Sequence, residues 1–121
     1  MSGQDDVHSF VGSTFRSVWS LELLLLLKRE QQLLSRAQLV TALRASDLVV
    51  NKALEELVAA GLVSVEGERS SYCPMNELVA QKVEAVEKLY AAKPDSVRRI
   101  IVTASTSRAN AFADAFRLRK D

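Results

Sequence analysis

The chain has 121 residues, 48% of them hydrophobic and 26% charged, with four Gly, two Pro and one Cys. That is the size and balance of one globular domain able to bury its own core, and it excludes a disordered tail, a collagen-like repeat and a disulfide scaffold. Sixteen Lys and Arg against fifteen Asp and Glu leave a formal charge of +1, so the strongly basic balance of many nucleic-acid-binding domains is absent.

Residues 1–12 are polar, carry Gly3 and Gly12 and show no period; they read as an N-terminal arm or a short lead-in to a helix. The opening MSGQDDVHSF lacks the basic-then-apolar layout of a secretory signal. From about Thr14 to Glu30 neither Gly nor Pro interrupts the chain, and Phe15, Val18, Trp19, Leu23 and Leu26 recur at helical spacing. Leu21, Leu24, Leu25 and Leu27 make this first helix apolar nearly all round, so it is expected to be covered on several sides, by its own domain and by a second chain. The unbroken run Leu23–Leu27 is far shorter than the about twenty residues of a membrane span. With the single Cys73 it points to a cytoplasmic location.

Ser35-Arg36-Ala37-Gln38 has the form of a capping box opening a second helix that runs to about Arg44. Ser46-Asp47 repeats the start signal almost at once, and Gly61 offers a left-handed stop, which gives a third helix over roughly 47–60. Two short helices so closely joined must cross steeply, as in a helix–turn–helix. After Gly61 the period becomes alternating through Leu62-Val63-Ser64-Val65-Glu66, turns at Gly67-Glu68-Arg69 and returns through Ser70-Ser71-Tyr72-Cys73 to Pro74. This is a small hairpin.

Asn76-Glu77 opens a further helix with Val79, Val83, Val86 and Tyr90 on one stripe and Leu78, Ala85 and Leu89 beside it. Pro94-Asp95 and Thr106-Ser107 then punctuate two more short helices, the last with Ala109, Phe112, Ala113 and Phe116 on one face. The fold class is mainly α with a small β-hairpin. Its expected organisation is a polar arm over 1–12, a helix–turn–helix with hairpin and following helix over 13–92, and a helical extension over 93–121 that serves dimerisation or core packing.

The string Val50-Asn51-Lys52-Ala53-Leu54-Glu55-Glu56-Leu57-Val58-Ala59-Ala60-Gly61-Leu62-Val63 resembles the recognition helix and wing entry of bacterial winged-helix regulators, such as the arsenic-responsive (ArsR) and multiple-antibiotic-resistance (MarR) families. The likeness covers about residues 35–74. It implies a winged helix–turn–helix with additional C-terminal helices, and a homodimeric, DNA-binding transcription regulator. The chain departs from the metal-sensing members, because no paired cysteines or clustered histidines stand where a metal would bind.

Set at helical spacing, Val50, Ala53, Leu54 and Leu57 turn inward and Leu48, Asn51, Lys52 and Glu55 outward. On such a surface Asn51 suits a phosphate or an adenine edge, Lys52 a phosphate or guanine, and Leu48 a thymine methyl, while Glu55 repels phosphate. Arg36 at the start of the second helix and Arg69 at the hairpin tip are the other expected backbone contacts. The charge tells against tight binding: residues 35–72 carry four cations and five anions, a net charge of −1. Residues 93–121 carry seven cations and three anions, a net +4, which either reaches nucleic acid or an acidic protein, or simply favours the C-terminal end of a helix dipole.

Leu48 and Val49 read either as a docking patch or as packing against the neighbouring helix or hairpin. Cys73 reads as a half-buried strand cysteine, and His8, the single histidine, lies in the polar arm, from which a catalytic dyad would need it to fold back on a base-poor core. No phosphate loop, metal cluster or nucleophile elbow is present, so neither enzymatic activity nor a cofactor is expected. The leading expectation is a homodimeric regulator on double-stranded DNA. The alternative is a winged-helix protein–protein interaction module without significant DNA binding.

Overall fold

The structure, a computed structural model, describes the backbone of residues 3–119 and the side chains of residues 6–107. The elements run α1 (Gly3–Thr14), α2 (Val18–Glu30), β1 (Leu34–Ser35), α3 (Arg36–Leu43), α4 (Asp47–Ala59), β2 (Val63–Glu66), β3 (Arg69–Tyr72), α5 (Glu77–Ala92) and α6 (Pro94–Arg119). The chain is thus mainly helical with one three-stranded antiparallel sheet, in the order β1-β3-β2.

The run that reads as one helix from Thr14 is broken before α2. Ser17 caps α2 reciprocally with Ser20: the Ser20 amide donates to Ser17 Oγ at 3.2 Å and the Ser17 amide to Ser20 Oγ at 3.4 Å. The polar segment before it is helical as well, and α1 meets α2 at a bend of 107°. Val11 on α1 and Phe15 at the bend are fully buried, so this segment belongs to the core and is not a loose arm.

Leu21 and Leu23–Leu27 are all buried, and the chain covers them by itself: α2 packs on α4, and α3, β3 and α6 close its other sides. The apolar circumference of α2 therefore does not call for a second chain. The α5 stripe is used internally too, with Val83 and Val86 buried and Val79, Leu89 and Tyr90 packed against the core. Along α1, Gly12 faces α6: a methyl group built there would sit 3.6 Å from Ile100 and 3.7 Å from Ala104, in ordinary contact.

α6 runs unbroken through Thr106-Ser107, where two short helices were expected. Thr106 Oγ1 donates to the Val102 carbonyl at 3.0 Å, one turn back, so the hydroxyl folds into the helix and does not punctuate it. Ala109, Phe112, Ala113 and Phe116 on the expected last helix, and Arg117, Arg119 and Lys120 of the basic tail, lie outside the described side chains.

α3 and α4 follow their caps. Gln38 N donates to Ser35 Oγ at 3.2 Å and Ser35 N to Gln38 Oε1 at 2.7 Å, and Val49 N donates to Ser46 Oγ at 3.2 Å. Arg44 takes a left-handed backbone, φ 55°, between the two helices, and Gly61 does so after α4, φ 76°. β2 and β3 form a tight hairpin around Gly67-Glu68, with Glu66 opposite Arg69 and Val63 opposite Tyr72. β1 pairs with β3 at Leu34↔Ser70 and Ser35↔Arg69, and the Arg36 amide donates to the Glu68 carbonyl at 3.1 Å. The hairpin tip is thereby tied to the start of α3. Cys73 falls just past β3 and is exposed, not half-buried in a strand.

Polar contacts join α2 to α5. Lys28 Nζ and Glu87 Oε1 stand at 2.7 Å, and the Tyr90 hydroxyl donates to the Glu22 carboxylate, while the Arg98 guanidinium lies 5.5 Å from the centre of the Tyr90 ring. Burial, and after it the Glu22 hydrogen bond and charge, push the Tyr90 pKa above its ordinary 10.0, with Arg98 pulling the other way. Tyr72 is raised as well, by burial and then by Glu84, Glu87 and Glu77. A phenol that holds its proton more tightly when folded stabilises the fold fully below the unfolded pKa of about 10, and that stability is lost as pH rises through the higher folded value. Urea unfolding midpoints are accordingly expected to hold steady from about pH 8 to 10 and to fall above it, and Tyr90→Phe is expected to flatten the fall. A midpoint that rises above pH 10 would contradict this environment for the two phenols.

Candidate functional site

The five residues singled out from the sequence do not form one patch. α4 packs Val50, Ala53, Leu54 and Leu57 on the core, and its opposite side faces solvent. Leu48, in the first turn, is 76% exposed, so packing against a neighbour does not account for it; Val49 is half-buried. Lys52 and Glu55 are exposed one turn on.

Asn51 departs from the expected outward face. It is half-buried, and its Oδ1 is out of solvent with no hydrogen-bond partner. It lines a groove of about 550 Å³ between α4 and β2 with Arg36, Leu54, Val58 and Val65. Pairing with an adenine edge needs both ends of the amide, and here the oxygen end is covered. Arg36 is half-buried in the same groove, its Nε also covered and unpartnered. Lys52 lies on the other flank of α4, in a second groove with Arg16, Glu56 and Ser105. Glu55 and Ala59 border both grooves and form the crest between them.

Arg69 is exposed at the first residue of β3, and its register partner Ser35 directly precedes Arg36. Arg36 and Arg69 are therefore close along the backbone through the sheet, and Arg36 lies on the side of α4 away from Lys52. The outward side of α4 is a crest of Leu48 and Glu55 with Lys52 on one slope and Asn51 and Arg36 on the other.

Arg16 and Glu56 were not singled out from the sequence. Arg16 reaches the Lys52 flank through the bend between α1 and α2, and Ser105 Oγ donates to the Arg16 carbonyl at 2.9 Å across 89 positions of sequence. No local spacing carries a juxtaposition of that range. Among the described residues no three His, Cys, Asp or Glu gather as a metal site, and no single helix is long and apolar enough to cross a membrane. His8 lies on α1 beside Ser96 and Arg99 of α6. Compared with protein-family models, with curated proteins and with solved structures, the chain matches none.

Proposed function

We propose that residues 18–72 form a winged helix–turn–helix module that binds duplex DNA, with α4 in the major groove, as a transcription regulator. What carries the reading is the free outward side of α4: a helix packed against α3 and followed by a hairpin, presenting Leu48 and Lys52 in its N-terminal half. That is the half of a recognition helix that meets base edges. Exposed Arg69 supplies a backbone contact from the hairpin. Since residues 35–72 hold only four cations, one copy binds weakly, and a pair of copies on a two-fold site is part of the proposal.

The test is fluorescence anisotropy of a labelled random duplex against salt concentration. Lys52→Ala and Arg69→Ala are each expected to weaken binding and to lower the slope of log K against log salt by about one. Absence of binding at about micromolar protein in low salt, or binding indifferent to both changes, removes the proposal.

One observation favours a protein partner instead, namely Leu48, an exposed apolar side chain between Asp47 and Glu55 on a module of net charge −1. A partner lost on Leu48→Glu, from a chain that shifts no duplex, would establish that reading.

A further inference from the structure

The groove on the Lys52 flank of α4 has the makings of a ligand site distinct from the reading crest. The end of α1, the α1–α2 bend, α4 and α6 enclose about 760 Å³, walled by Thr14, Arg16, Lys52, Glu55, Glu56 and Ser105. The volume is within the range of small-molecule sites, but the polar walls call for a charged occupant. The Ser105–Arg16 hydrogen bond fixes one side of the groove on the other.

Two cations and two carboxylates line this space, and none of the four takes part in an ion pair among the described residues. Glu56 Oε1 is out of solvent and accepts no hydrogen bond. That oxygen is closed to a ligand as it is to water, so the other oxygen of the carboxylate is the one a ligand N–H can reach. α1 also ends here, and a helix C-terminus adds partial negative charge on that side. A simple anion would be repelled by Glu55 and Glu56, and a simple cation by Arg16 and Lys52. A small molecule bearing both charges is attracted by each pair.

We propose that this groove binds a zwitterion of the free α-amino-acid class, its ammonium group on Glu56 and its carboxylate held by Arg16 and Lys52. Occupancy takes Lys52 away from phosphate and so weakens duplex binding. That coupling rests on the DNA reading above; the site itself does not.

The experiment is a proton–nitrogen NMR titration of the full chain with each common L-amino acid singly, up to about 10 mM, against its N-acetyl and C-amide forms. At least one amino acid is expected to shift the amide signals of Lys52, Glu56 and Ser105 saturably. Either blocked form, and either Glu56→Gln or Arg16→Ala, is expected to weaken its binding about tenfold. No saturable shift at these residues, or blocked forms binding as well as the free amino acid, overturns the site. Duplex titration with and without the bound amino acid then tests the coupling. Duplex binding unchanged by the ligand overturns the coupling and leaves the site standing, whereas a chain that binds no duplex in either case removes the DNA reading alone.

Discussion

Phe15→Ala is expected to lower the free energy of unfolding by about 4 kcal/mol. The ring is fully buried where α1 turns into α2, and it meets Phe10 edge to face with centroids 6.0 Å apart. Truncation removes the transfer free energy of the ring and leaves a cavity between two helices joined at 107°, a junction that cannot close over it without moving α1 off α6. The Phe10 contact is lost as well, which adds to the cost beyond buried area. Denaturant unfolding measures the effect, and Trp19→Ala is the internal control: Trp19 is larger but 41% exposed, so its loss is expected to cost less. A Phe15 loss no greater than that of Trp19 would mean that α1 is not held as described.

Glu55→Lys is expected to raise the affinity for duplex DNA by about tenfold at low salt and to steepen the salt dependence by about one phosphate contact. Glu55 stands on the crest of α4 between the two grooves, exposed and without an ion-pair partner among the described residues. Its carboxylate would face the phosphates on either side of an inserted helix. Reversing the charge therefore removes a repulsion and adds a counterion-releasing contact in one step. Because the side chain bears no part of the core, stability should change little. Anisotropy against salt, run beside an unfolding curve, separates the two effects. Unchanged affinity in a folded variant would take α4 out of the duplex.

The middle of the chain was legible because its signals are local. Ser35 with Gln38, Ser46 with Asp47, and Gly61 each act within a few residues, and the helices and hairpin follow them closely. β1 escaped because two residues show no period; it is a strand only through its pairing with β3. α1 escaped for a different reason. Gly3 and Gly12 weaken any local case for a helix, and α1 is held by its packing on α5 and α6, which no local signal carries. At α2 the Ser17–Ser20 box was passed over because the surrounding run is so apolar that it reads as continuous.

The site was legible in part. Leu48, Lys52 and Glu55 point outward as helical spacing requires. Asn51 belongs to the same face on a bare helical wheel, but its oxygen is out of solvent and the residue lines the groove that Val65 of β2 also borders, which is a tertiary effect. Arg36 is taken into the same groove. Arg16 and Ser105 came together only through the closing of α1 on α6.

The same closure governs when the chain can finish folding as it is made. α1 packs on α5 and α6, so its packing is complete only after residues around Ile100 to Ser105 have been synthesised, though α2 to β3 already have one another. At about 5–20 residues per second, the first helix waits several seconds beside the ribosome with Val11 and Phe15 uncovered. Closing so long a loop comes late and costs entropy, so α1 is made before its partners and secured after them. Nascent chains stalled before α6 has emerged should therefore be the species that chaperones hold and proteases cut, at a site within α1.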